Sequence, residues 1–377
     1  MQRAFWLTAL AVLLLTACEP SPPPVTVWPA SVTPDRLSDW HVVHSDGDRL
    51  TLNDGVIPYE LNVPLFSDYA LKLRTVWMPD GMAAEYRDDR EFDFPVGTIL
   101  SKTFHYRYGD SGFQKLDAEA TLEPDGSLNL ETHRIVETRL LIHGEDGWRA
   151  LPYVWNDEQT EAFLEVAGTE FDFSFTQGSE PGSDPWVLVP FTYIVPDMNQ
   201  CEACHVPDFS TKEVRPLGPK AHQLNRDFEY VGGTKNQLLF WQESGRLVGL
   251  TEPPPAMMRW QDRNNADPDE MARTYLDANC GHCHNPDGPA DTSGLDLSLR
   301  APLNRTTGIC KPPVAVGRGS GNRPYDIFPG KPEQSILLYR MEHDDPAIMM
   351  PELGRAMSHD EAVSLVRNWI AAMRGDC

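Results

Sequence analysis

The chain has 377 residues, with 32 Lys and Arg against 56 Asp and Glu, a formal net charge of −24. A field of that sign excludes nucleic acid as a partner and electrostatic adhesion to anionic lipid. The length leaves room for two or three domains.

Met1 to Ala17 carries one basic residue, Arg3, then an uncharged apolar run from Ala4 to Leu15. It reads as a secretory signal peptide over residues 1–17, too short to span a bilayer. Leu15-Thr16-Ala17-Cys18 resembles the bacterial lipobox, which makes Cys18 the expected lipid-bearing residue. Several acyl chains on one cysteine anchor a protein stably where a single chain does not. Glu19 after the cysteine favours the outer membrane, on its periplasmic side. Past the signal there is no apolar stretch near 18 residues, so nothing else is expected to cross the membrane. Six prolines between Pro20 and Pro34 predict an extended spacer over 18–39.

Residues 40–195 read as an antiparallel β domain. Alternating or β-branched runs recur at Asp48–Leu52, Leu71–Met78, Ile99–Tyr108, Leu128–Leu130, Arg134–Ile142, Phe171–Phe175 and Trp186–Ile194. Turn signals such as Pro79-Asp80-Gly81 and Glu145-Asp146-Gly147 separate them, a spacing that favours a sandwich or barrel. Residues 18–267 hold 41 acidic and 20 basic residues, a balance of −21, so most of the acidity lies ahead of the last hundred residues.

Two five-residue motifs follow, Cys201-Glu202-Ala203-Cys204-His205 and Cys280-Gly281-His282-Cys283-His284. The Cys-x-x-Cys-His spacing is the attachment signature of c-type haem. Two thiols three positions apart form thioethers to the haem vinyl groups, and the next histidine offers an imidazole nitrogen to the iron. A Cys₄ zinc site or a redox dithiol explains the cysteines but not a histidine after both pairs. The reading is therefore two covalent haem c groups, the first in a segment over 196–266 and the second in a domain over 267–377. Of seven cysteines, Cys18 and the four motif residues leave Cys310 and Cys377, an even remainder that predicts a disulfide in an oxidising compartment.

In the last region, Asp267-Pro268-Asp269-Glu270 and Ser358-His359-Asp360-Glu361 both read as capping boxes opening helices. Ala362, Val366, Trp369, Ile370 and Met373 form an apolar stripe at helical spacing. A helix ending in the second motif, a Met-Pro loop and a closing aromatic helix resemble a class I cytochrome c domain. That resemblance implies His284 as proximal ligand and Met350, which precedes Pro351, as the sixth ligand, ahead of Met349. His282, His343 and His359 read as surface residues. For the first haem the proximal ligand is His205, and Met257 or Met258 ranks ahead of His222, with a vacant sixth position third. The fold class expected is thus α+β multidomain, an N-terminal antiparallel β domain followed by a mostly α-helical, cytochrome c-like haem region.

Pro64-Leu65-Phe66-Ser67-Asp68-Tyr69, Gly97-Thr98-Ile99-Leu100-Ser101-Lys102, Glu137-Thr138-Arg139-Leu140-Leu141 and Trp155-Asn156-Asp157-Glu158-Gln159-Thr160 resemble an uncharacterised bacterial family of dihaem c-type cytochrome lipoproteins, as do Leu217-Gly218 and Gln223-Leu224-Asn225. The resemblance covers nearly the whole mature chain. It implies electron transfer with redox protein partners, and it carries no established substrate. An electron carrier is favoured over an enzyme. The alternatives are a dihaem peroxidase-like enzyme and a haem-carrying module whose β domain recognises a partner. The spacing of 79 residues between the motifs is shorter than the two full cytochrome domains of the bacterial dihaem peroxidases.

Overall fold

The structure is a computed structural model that describes residues 22–109, 111–120, 122–177, 187–314 and 317–377. The signal peptide, Cys18, Glu19 and Trp186 lie outside the described residues. Arg149 donates to the carbonyls of Trp28, Ala30 and Val32, and Asn53 donates to Pro23, so the proline-rich segment lies along the β domain from residue 23.

The strands run β1 (Val43–Ser45), β2 (Arg49–Leu52), β3 (Ile57–Tyr59), β4 (Leu71–Trp77), β5 (Ala84–Glu85), β6 (Ile99–Arg107), β7 (Phe113–Gln114), β8 (Leu128–Asn129), β9 (His133–Gly144), β10 (Gly147–Trp155), β11 (Ala162–Leu164), β12 (Thr169–Gln177) and β13 (Val187–Val195). The central sheet has six antiparallel strands in the order β11-β10-β9-β6-β4-β3. One of its faces packs Leu73, Leu140, Ile142, Leu151 and Tyr153 against Trp40, Leu50 and Leu128 beneath the small sheet β1-β2-β8. Within that core the Trp40 indole donates to the Tyr153 hydroxyl at 2.8 Å, and that hydroxyl donates to the Pro34 carbonyl. Both polar handles of the aromatic pair are therefore satisfied, as burial requires.

The other face is divided. At one end Phe104, Tyr106 and Val136 join Phe175, Phe191 and Tyr193 of the β12-β13 hairpin in an aromatic cluster. At the other, Val76, Leu100 and Leu141 pack on Leu224, Leu238 and Trp241, which belong to helices α2 (Ala221–Leu224) and α3 (Gln237–Glu243) that follow α1 (Met198–His205). Between the two clusters a cavity separates the sheet from the first Cys-x-x-Cys-His segment.

The expectation of a mostly helical haem region is not met, and the molecule is a mixed α+β fold throughout. Residues 196–266 contain the hairpin β14 (Asp227–Tyr230) and β15 (Gly233–Asn236), and β16 (Leu247–Val248) pairs in parallel with β5 of the N-terminal region. From 267 onward there are three α-helices, α4 (Pro268–Leu276), α5 (Ile336–Glu342) and α6 (Asp360–Ala372), joined by loops and single 3₁₀ turns among the described residues. Pro302, Pro312, Pro313, Pro324, Pro329, Pro332 and Pro346, with interleaved glycines, explain this: proline lacks the N–H that continues a helix and clashes with the preceding turn. Asp267 does cap α4, accepting from the amides of Asp269 and Glu270. The second predicted cap is displaced: His359 is the N-cap of α6 and makes no side-chain cap bond, while Ser358 bonds to Asp360.

Helices α4 and α6 pack through Met271, Tyr275, Val366, Trp369 and Ile370 in the core of this region. Cys310 and Cys377 form a disulfide across 67 residues. In the chain-entropy account a closed loop of that size contributes about 4 kcal/mol, acting on the unfolded state. Replacing both cysteines by serine is expected to lower the unfolding free energy by up to that amount, and the denaturant midpoint with it. Reductant should lower the midpoint of the native chain and leave the double variant unmoved.

Candidate functional site

The first motif is placed by a helix start that the sequence reading passed over. Asp197 caps α1, its carboxylate accepting the Gln200 amide at 2.8 Å while the Gln200 side chain takes the Asp197 amide at 3.0 Å. This reciprocal capping box satisfies two otherwise orphaned donors. It starts the helix three residues before Cys201, so Cys201, Cys204 and His205 occupy consecutive turns. His205 then closes a clamp with a later loop: its Nδ1 meets the Arg215 carbonyl at 2.8 Å, and the Arg215 amide donates to the His205 carbonyl at 2.7 Å. A carbonyl only accepts, so Nδ1 carries the proton and Nε2 keeps its lone pair. Burial, the largest influence, pushes the imidazole down to about 4, which leaves it neutral near pH 7.

The second motif leaves α4 through a π turn over Asp277–Gly281. His284 Nδ1 lies 3.0 Å from the Ser293 hydroxyl, which itself donates to the Ala290 carbonyl at 2.7 Å. With its proton committed, the Ser293 oxygen accepts from Nδ1–H, and again Nε2 is the free nitrogen. Burial pushes this imidazole down to about 4 as well. Two neutral imidazoles with the same tautomer fixed by an outer oxygen are what ligation through Nε2 requires.

The motifs are side by side. The Phe209 amide donates to the Asp287 carbonyl at 2.8 Å, the Cys283 thiol reaches the Ala203 carbonyl at 3.9 Å, and the thiols of Cys204 and Cys283 are neighbours. His282 lines the cavity, its Nδ1 buried without a partner, so it is not the surface residue expected. The cavity holds about 1650 Å³ including its open mouth, with Cys201, Cys204, His205, Leu217 and Asn279 among its walls. The donor set fits a haem attached at Cys201 and Cys204. A Cys₄ zinc centre does not fit, because the four thiols do not converge on a point. Among the described residues, the only group of three or more such donors with ligand atoms within 4.8 Å is Asp117, His359 and Glu361. There Asp117 already takes the Trp260 indole and the Arg263 guanidinium, each at 2.8 Å, so a cation is not needed to balance it.

Met350 and Cys280 line a second, smaller cavity with Phe66, Tyr275, Arg355 and His359. Met349 is buried outside its walls, which separates the two methionines. Arg355 organises this loop, donating to the carbonyls of Met350, Arg340 and His343. From the β domain, the Asp68 carboxylate accepts the amides of Ala356 and Met357, and the Tyr69 hydroxyl donates to Glu361. Phe66 stacks on His359 at 4.1 Å, so His359 is buried rather than superficial. The sixth-ligand candidates for the first haem do not reach the larger cavity. Met258 packs with Trp260 and Met271, Met257 is not among its walls, and His222 faces Asp277 at 3.7 Å.

Asp277, Asn279 and Asp68 were missed from the sequence because partners of each lie tens to hundreds of residues away, and Arg355 because its partners are backbone carbonyls that only the folded loop brings together. Asn279 accepts the Phe66 amide, and Asp277 gathers Lys220, His222 and the Leu299 amide. No family model, curated protein or solved structure matches the chain. Among the described residues no helix is long and apolar enough to cross a membrane.

Burial raises the Asp277 pKa, but the His222 and Lys220 contacts outweigh it and hold it at about 2. A carboxyl depressed in the folded state lends stability above its unfolded value, lost as pH falls through the folded one. Between pH 4 and pH 2 the native chain should lose about 2 kcal/mol through this group. Asp277→Asn should flatten that limb of an acid titration followed by denaturant midpoints.

Proposed function

We propose that this chain is a dihaem c-type cytochrome that transfers electrons on the periplasmic side of the membrane, anchored through Cys18, as the partner of an oxidoreductase. The observation that carries the reading is the pairing of two Cys-x-x-Cys-His segments, each with free thiols and a neutral imidazole presenting Nε2, held in mutual contact. Cys201, Cys204 and His205 would hold one haem; Cys280, Cys283, His284 and Met350 would hold the other. Each haem supplies a one-electron centre, and the contact between Cys204 and Cys283 brings the two attachment sites within direct exchange. The protein's own part is to keep both imidazoles unprotonated at Nε2, to orient them through Arg215 and Ser293, and to hold Met350 through Arg355 and Asp68. The resemblance to the dihaem lipoprotein family supports the same assignment.

A second reading rests on one observation: no methionine lines the larger cavity, and its only histidines are His205 and His282. A first haem with an open sixth position would bind small ligands, as a peroxidase-like enzyme does. Carbon monoxide added to the reduced protein separates the two, since a pair of low-spin, six-coordinate centres resists it.

Intact-mass measurement of the mature protein should exceed polypeptide and lipid by two haems. An increment of one haem, or a loss of two hydrogens indicating a Cys204–Cys283 disulfide, would overturn the assignment. Met350→Ala should abolish the sulfur-to-iron charge-transfer band of the ferric protein and lower one of the two potentials, because a thioether favours ferrous iron. Met349→Ala should leave that band in place.

Lipid attachment is tested separately. Cys18→Ser should move the protein from the membrane fraction to the soluble fraction on cell lysis. Unchanged membrane association would point to a different anchor.

A further inference from the structure

The central sheet carries an unusual row on the face toward the first motif. Arg74 of β4 stands opposite Lys102 of β6, and Lys102 opposite Arg139 of β9. Three cations are thus in direct register across three adjacent strands, where like charges opposite one another destabilise a sheet. The outer two are compensated: Arg74 pairs with Glu60, and Arg139 pairs with Glu137 at 2.5 Å. Lys102, in the middle, has no ion pair or hydrogen bond among the described residues. Its nearest recorded relief is the Phe104 ring, 5.8 Å from Nζ and shared with Lys72 and Arg139.

All three cations line the 1650 Å³ cavity that also contains Cys201, Cys204 and His205. In the next row of the same face Leu100, Leu141 and Ala150 are in register and also line the cavity, while Val76 beside them is covered by α2 and α3. An apolar edge of the wall beside a line of cations, in one cavity with a pair of thiols and an imidazole, matches an apolar macrocycle with two carboxylates on one edge. A half-buried ammonium without a direct partner is costly, and desolvation together with the neighbouring Arg74 and Arg139 pushes Lys102 down to about 7. A carboxylate at this point would reverse that pressure.

We infer that Lys102 and Arg139 hold the propionates of the haem attached at Cys201 and Cys204, so that the N-terminal sheet forms one wall of the first redox centre. The inference rests on the dihaem reading above and adds to it the role of the β domain. Lys102 is a positioning residue that binds the cofactor's carboxylates and sets its electrostatics; it is not an iron ligand in this scheme.

The test uses the full-length protein purified with its haems attached. Lys102→Met removes the cation at similar length, and its mass should still report two haems. The potential of the first haem should shift negative, since loss of a nearby positive charge favours the ferric state, while the haem bearing the Met350 band titrates unchanged. Propionate bending bands in the resonance Raman spectrum should shift in Lys102→Met and return in Lys102→Arg, a recovery that a purely structural role would not give. Lys102→Gln gives the same readout should the Met variant fail to fold. With two haems present, an unmoved first potential and unmoved propionate bands would overturn the inference and leave the dihaem reading intact. A mass equal to the bare polypeptide would overturn both.

Discussion

The arrangement depends on the contact between the two Cys-x-x-Cys-His segments. The Phe209–Asp287 backbone bond and the Cys204–Cys283 thiol contact fix two chain segments that start 79 residues apart in sequence. Once these segments are joined, the residues between them must form a closed excursion. They do so as the β14-β15 hairpin and α3, which dock on the sheet through Trp241 and Leu238, and as β16, which adds to β5. Residues on the two sides of position 196 therefore share one core. Gln237, for example, accepts the Glu60 amide and donates to the Glu60 and Leu224 carbonyls, a buried three-bond link between the two.

The same logic explains the Pro64–Tyr69 segment, which was legible as a signature but not as a mechanism. Its side chains serve neither strand nor turn. Phe66, Asp68 and Tyr69 reach the loop after Met350 and the first turn of α6. Asp68 and Tyr69 both have positive φ, 47° and 58°, a conformation non-glycine residues adopt only where surrounding contacts impose it. Burial raises Asp68 to about 6 despite the two amides it accepts. A buried carboxyl tying down the Met350 loop from another part of the chain is a structural commitment that only the tertiary fold makes readable.

What could be read from sequence follows the range of the interactions involved. Strands β4, β6, β9, β12 and β13 were visible because alternation and turn residues are local signals, and the Asp267 cap because it acts within three residues. Strand β10 was missed: Pro152 at its centre and Gly147 at its start argue against a strand, yet it pairs with β9 over eight positions. The helical expectation for the last region took the two capped helices as representative. The prolines between them were the better guide. Asp197 with Gln200 is a local capping signal four residues ahead of Cys201 and is readable from sequence. Arg74, Lys102 and Arg139 could not be grouped from sequence, since their alignment needs the register of three strands.

That register bears on why an acidic protein keeps a cationic row inside. The surface excess of carboxylates would by itself stabilise an oxidised, more positive centre and pull any buried potential downward. Charges on the far side of a protein act through water and are screened within about 8–10 Å at physiological salt. Charges lining one partly enclosed cavity are screened less. On its wall Arg74 and Arg139 are each paired with a carboxylate, as Lys220 is with Asp277, and Lys102 is not, so a protonated Lys102 would be the uncompensated charge beside Cys201 and Cys204. The sheet thus decouples the electrostatics of the interior from those of the exterior, leaving the exterior free to be acidic for solubility or for docking a basic partner.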